Sequence, residues 1–127
     1  MNEVTCLELS FLIWLAHVLI QAGIANAVVG PSYLAGARDA SAEVKGVYYP
    51  RATRALANYV ENYGAFIALD LGLIATQHTG GSGAMIWVLA RIVYVPLYLF
   101  GVPYLRTLAW AVALAGLVMM LARLAGY

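Results

Sequence analysis

The chain has 127 residues, of which 64% are hydrophobic and only 10% charged, and its mean hydropathy is +0.83. Soluble domains carry roughly 25% charged residues, so this sequence lacks the polar surface to coat itself in water, and its length holds a single domain. The formal net charge of +1 gives no basic patch for nucleic acid. Cys6 stands alone, which excludes a disulfide within the chain, and with only His17 and His78 besides there is no metal-ligand set.

A helix crossing the hydrocarbon core needs about 20 mostly apolar residues. Four stretches qualify, at about 7–29, 55–76, 84–102 and 105–124, and predict an all-α integral membrane four-helix bundle, one domain over 1–127. The first span ends at Gly30-Pro31. Its Ala25-Asn26-Ala27 resembles a cleavage site, but the leading segment carries Glu3 and Glu8 and no positive charge, and the apolar run is too long for a signal peptide. Ser10, His17 and Gln21 share a face of this helix and read as interhelical hydrogen-bonding groups. The loop from about Pro31 to Arg54 is polar, with nothing to mark a separate domain.

The second helix is expected to begin outside the bilayer, with Pro50 suited to its first turn. It carries Arg54, Asn58 and Glu61 at i, i+4 and i+7, stacked on one face. Ionisable groups entering a bilayer are expensive and mark functional sites by default. A cation, an amide and a carboxylate in a row suit a zwitterionic, peptide-like ligand. His78 to Gly83 forms a tight connection, and its glycine run lacks the Lys-Ser/Thr of a phosphate loop. The third helix presents Arg91, Tyr94 and Tyr98 on one face and is interrupted by Pro96.

Equal rise on either side of a turn near Gly80-Gly81 sets Asp70 level with Arg91, read first as a structural ion pair with a ligand role for Arg91 as the alternative, Tyr98 near Glu61, and Arg106 near Arg54. One end of the bundle thereby gathers Arg54, Asn58, Glu61, Tyr94, Tyr98 and Arg106: guanidinium groups for carboxylates, a carboxylate for an ammonium, and phenols that donate hydrogen bonds. Tyr48, Tyr49, Tyr59, Tyr63 and Tyr104 read as interface residues, and Trp14, Trp87 and Trp110 as packing or interface anchors. Gly101-Val102-Pro103 turns the chain into the fourth helix, where Ala109 with Ala113 and Ala111 with Ala115 suit close helix approach.

Arg38, Lys45, Arg51, Arg54 and Arg106 fall on one side of this layout, and only Arg123 on the other. The positive-inside rule then predicts both termini outside, with the first and third loops cytoplasmic.

Arg54-Ala55-x-x-Asn58-x-x-Glu61, followed on the third helix by Arg91-x-x-Tyr94-x-x-x-Tyr98, resembles the MAPEG family (membrane-associated proteins in eicosanoid and glutathione metabolism). The Arg38-Asp39 loop and the run Val102-Pro103-Tyr104-Leu105-Arg106-Thr107 resemble its bacterial members. The resemblance covers essentially the whole chain. It implies a homotrimer of four-helix subunits in a bacterial inner membrane, binding glutathione as co-substrate between neighbouring subunits near the cytoplasmic face. Arg54, Asn58 and Glu61 match the family's glutathione-binding row, Tyr94 and Tyr98 its third-helix contacts, and Arg106 the arginine placed beside the thiolate. Asn62 departs from the pattern, standing where well-known members have a tyrosine.

The chemistry so implied is activation of the glutathione thiol, with Arg106 lowering its pKa and Tyr98 or Tyr94 orienting the sulfur. The thiolate would then attack a lipophilic electrophile or lipid hydroperoxide arriving from the bilayer, as transferase or peroxidase. Two other classes remain open on the residues alone. One is a small proton-coupled multidrug exporter using Glu61 or Asp70, although such exporters place their key acid within the first helix. The other is a non-catalytic membrane protein that binds glutathione or lipid.

Overall fold

The computed structural model describes residues 1–30 and 46–127; Arg38, Asp39 and Lys45, used above for orientation and resemblance, lie outside them. Among the described residues there are four α-helices and no strand: α1 Glu3–Val29, α2 Tyr48–Ala75, α3 Gly83–Leu99 and α4 Pro103–Leu124. Each boundary has a local cause. Asn2 caps α1, its Oδ1 accepting the Thr5 N–H at 2.8 Å, so the helix starts a turn before the apolar run. It stops at Gly30, whose φ of 88° suits glycine. Pro50 does sit in the first turn of α2, and Pro103 opens α4. Pro96 lies in the last turn of α3, which ends at Leu99 instead of reaching residue 102, and Gly101 at φ 71° reverses the chain.

α1 and α4 are long and apolar enough to cross a membrane, and only 17% and 22% of their most apolar windows are buried inside the chain. Leu12, Leu19, Leu108, Val118 and Leu121 point outward instead. That is the inverse of a soluble bundle, whose helices turn their apolar stripe inward. α3 is apolar but has 17 residues, and α2 is diluted by Asn58, Glu61, Asn62 and Asp70, so hydropathy alone does not single it out.

The core is aromatic at its centre. Trp87 is fully buried and stacks on Phe66 with ring centroids 4.1 Å apart, with Tyr59 at 5.5 Å. Ile13, Leu73, Val88, Leu117 and Met120 close around them. α3 and α4 approach most closely where Gly83 meets Gly116: a Cβ on either would come within 2.7 Å of the other's carbonyl oxygen. Ala109 and Ala113 are buried along the same seam, whereas Ala111 and Ala115 face outward.

The register between α2 and α3 differs from equal rise. Arg91 meets Asn58, twelve positions before Asp70, or about 18 Å at 1.5 Å per residue. Trp87, one turn into α3, already stacks on Phe66, well short of the end of α2. The connection doubles back along α2 before α3 begins, and it is held there. His78 N donates to Leu73 O at 2.9 Å, Glu3 Oε1 accepts from Gly80 N at 2.9 Å, and Arg123 donates to the carbonyls of His78 and Thr79 at 3.3 and 2.8 Å.

Asp70 and Arg91 therefore do not form the expected ion pair. Both are fully buried, but the two carboxylate oxygens of Asp70 have no hydrogen-bond partner among the described residues. Tyr59 is no interface residue either: it is fully buried and donates its hydroxyl to the Ser10 carbonyl, tying α2 to α1. Ser10 Oγ lies 3.1 Å from the Tyr63 hydroxyl, and Gln21 donates to Thr53 Oγ1 at 3.0 Å, as their shared face suggested. His17 joins this seam by packing, its ring 5.0 Å from Tyr59, and its Nε2 has no partner among the described residues.

Candidate functional site

At the Arg51 end of α2, the register brings α2, α3 and α4 together around a cleft of about 240 Å³, lined by Asn58, Tyr94, Tyr98, Arg106, Thr107 and Trp110. Four of the six expected residues are on that list. Asn58 comes from the middle of α2. Tyr94 and Tyr98 come from adjacent turns of α3, with rings 5.4 Å apart. Arg106 comes from the first turn of α4, fixed by the short link through Gly101 and by Pro103.

Tyr98 sits between two guanidinium groups. Arg54 Nε donates to the Tyr98 hydroxyl oxygen at 3.1 Å, and Arg106 Cζ lies 4.9 Å from the centroid of the same ring. Arg54 thus joins the site through Tyr98, and Tyr98 meets Arg54 where equal rise had set it beside Glu61. Glu61 does not line the cleft and is exposed on α2. Arg51 braces the end of α3, donating from Nη1 to Leu99 O at 3.1 Å and packing over Gly101, where a Cβ would come within 2.8 Å of its guanidinium.

Arg91 lies behind the cleft. It is fully buried, donates from Nη1 to Asn58 Oδ1 at 2.7 Å, and holds Cζ 4.2 Å from the Tyr94 ring and 5.2 Å from the Tyr59 ring. Those two π faces attract the guanidinium, whose Nε and Nη2 have no hydrogen-bond partner among the described residues. Thr107 and Trp110 also line the cleft, although from sequence Thr107 is quoted only within the run that opens α4 and Trp110 is read as a packing or interface anchor. Their spacing from Arg106 places all three on one side of the first turns of α4, which is the signal that was available.

Chemically, the cleft gathers an amide, two phenols and a guanidinium, with a second guanidinium behind Tyr98. Such a set favours an anionic, hydrogen-bond-accepting group. Four antiparallel helices with outward-facing apolar surfaces define an all-α membrane protein with a polar cleft at one end. The chain belongs to the MAPEG family, whose family model matches residues 5–126. Neither a curated protein nor a solved structure gives a significant match.

Proposed function

We propose that this protein is a membrane-bound, glutathione-dependent transferase or peroxidase, acting as a homotrimer with the cleft end towards the cytoplasm and both termini outside. Membership of the MAPEG family supports a glutathione-related activity of this general kind and favours it over proton-coupled export. The observation that carries the site assignment is Tyr98 held between Arg54 and Arg106 beside Asn58 and Tyr94.

In this reading the sulfur of glutathione enters the cleft beside Arg106. A free thiol with pKa about 8.5 is mostly protonated at neutral pH, and a neighbouring cation favours the thiolate. Because the Tyr98 oxygen accepts from Arg54, its own proton is free to donate to the sulfur. The thiolate attacks an electrophilic carbon to form a C–S bond with loss of the leaving group. With a lipid hydroperoxide it attacks the distal oxygen and breaks the O–O bond, giving glutathione sulfenic acid and a lipid alkoxide that takes up a proton. A second glutathione then condenses with the sulfenic acid to form glutathione disulfide and water. The nucleophile belongs to the co-substrate, so no catalytic Ser or Cys is required. Arg54 and Glu61 bind the peptide frame, while Asn58 lines the cleft that receives the sulfur. At about 240 Å³ the cleft is smaller than the ~300–1,000 Å³ usual for ligand pockets, which fits a site completed by a second copy. The lipophilic partner substrate arrives through the surrounding lipid.

Calorimetric titration of glutathione into the detergent-solubilised protein, beside Arg54→Ala, tests the proposal. Saturable binding that weakens at least about tenfold in the variant is expected. Absence of binding by the folded, assembled wild type would remove the enzyme reading and turn attention to transport.

A further inference from the structure

Arg91 has no counter-ion among the described residues and lies outside the cleft, yet it touches two of the cleft's walls. We propose that Arg91 is a positioning residue that turns the Asn58 amide so that only its N–H groups face the cleft, and that the site thereby selects ligands whose sulfur end is anionic. The inference rests on the glutathione reading for the identity of the ligand, but its geometric half does not.

The argument is one of donors and acceptors. Arginine has donors and no acceptor, so the Asn58 atom 2.7 Å from Arg91 Nη1 must be the carbonyl oxygen. This removes the ambiguity that otherwise attends an amide orientation. With Oδ1 held by a fully buried guanidinium, Asn58 has its Nδ2 hydrogens to offer a ligand. Tyr98 is biased the same way, because its oxygen already accepts from Arg54 at 3.1 Å. Arg106 can only donate. Thr107 donates its hydroxyl to the Pro103 carbonyl at 3.2 Å, so its oxygen is a weak acceptor at the rim set against the donors of Asn58, Tyr98 and Arg106. Asn58 would be the strongest neutral side-chain acceptor among the lining residues if its amide could turn, and Arg91 prevents that. The Cζ of the same guanidinium lies 4.2 Å from the centroid of the Tyr94 ring, so one buried group contacts both the amide and the neighbouring phenol.

A cleft biased towards donors discriminates by the cost of burying an unmatched group. An anionic sulfur meets hydrogen-bond donors, and a neutral blocked sulfur leaves them unpaired. If the amide were free to rotate, it would adapt to either and the discrimination would fall.

The test uses the whole protein in detergent and two probes, glutathione sulfonate, whose sulfur end is anionic, and S-methylglutathione, whose sulfur end is neutral. Affinities are measured by calorimetry for the wild type, Arg91→Met, Arg91→Lys and Asn58→Asp, while the Asn58 side-chain amide is followed by ¹⁵N NMR in the same samples. The wild type is expected to prefer the sulfonate, Arg91→Met to reduce that preference by about tenfold, and Arg91→Lys, which keeps a donor, to restore most of it. Should Arg91→Met not assemble, Asn58→Asp carries the same test, because one carboxylate oxygen pairs with Arg91 and the other presents an acceptor to the cleft. An unchanged preference in a folded Arg91→Met or Asn58→Asp overturns the proposal while leaving glutathione binding intact. If neither probe binds the wild type, the glutathione reading fails separately and NMR decides the geometry. A single Asn58 amide environment that averages in Arg91→Met upholds the positioning role, and an amide indifferent to Arg91 overturns it.

Discussion

In the proposed chemistry Arg106 and Tyr98 face the sulfur, and a pH experiment tests the part given to Arg106. A guanidinium beside the sulfur stabilises the thiolate but not the neutral thiol, so it holds the bound thiol's pKa below the free value. Removing it lets that pKa rise. An opposite charge within about 4–6 Å is worth roughly 1–3 pKa units. In Arg106→Ala the ultraviolet absorbance of bound thiolate should therefore need a pH about one unit or more higher to appear, and the acid limb of the activity profile should move up with it. Glutathione affinity should fall much less. Equal losses of affinity and of thiolate would place Arg106 in the binding frame instead. Tyr59 shows where residue-level inference from sequence stops. An aromatic hydroxyl is at home both in a membrane interface and in a polar seam between helices, so composition could not choose. Its position in line with Ala52, Ala55, Phe66 and Asp70 on the buried face of α2 was the usable clue.

At the scale of the elements, the closest helix crossing predicts the largest stability effects. Gly116→Ala would set a Cβ 2.7 Å from the Gly83 carbonyl and 2.9 Å from the Trp87 backbone nitrogen. Backbone atoms cannot swing aside as a flexible side chain can, so α3 and α4 must separate, at a cost of about 1–3 kcal/mol. Gly23→Ala is the matched control: it lies inside α1, a Cβ there meets nothing within 4 Å, and alanine should be neutral or stabilising by up to about 1 kcal/mol. Thermal unfolding of both variants in detergent checks the contrast, and similar midpoints would contradict the crossing. The existence and order of α1, α3 and α4 could be read from hydropathy, Gly and Pro, while α2, diluted by polar side chains, needed Pro50 and the helical spacing of Arg54, Asn58 and Glu61 as well. The register of α3 on α2 could not, because equal rise presumes a symmetric turn, and this connection folds back under the grip of Glu3 and Arg123. That one displacement separated Asp70 from Arg91. It also brought Arg54, not Glu61, to Tyr98. Asn58, Tyr94 and Tyr98 still meet, because the face each occupies is set by helical periodicity within its own element, whereas Glu61 falls outside the cleft.

At the scale of the whole molecule, α2 poses a question that a single chain does not answer. Its exposed side carries Arg54 and Glu61, and a charge facing lipid near the centre of a helix costs about 2.5–3.5 kcal/mol on insertion scales. α1 and α4, by contrast, expose leucine and valine. The arrangement with the lowest cost turns α2 towards other copies and leaves α1 and α4 to the lipid, which is how a homotrimer would assemble here. The geometry of that face agrees: Ala57, Glu61, Gly64 and Ala68 are all exposed at spacings of four, three and four, so small residues line it and would let backbones approach. Gly64 offers the test, since a Cβ there meets nothing within 4 Å of its own chain. Gly64→Leu should leave the helical content of the subunit intact while shifting native mass spectra from three copies to fewer. Glutathione binding should fall with the trimer if the site is shared between subunits. A Gly64→Leu protein that remains trimeric would move the interface to another helix. Dissociated chains that still bind glutathione one to one would confine the site to a single subunit.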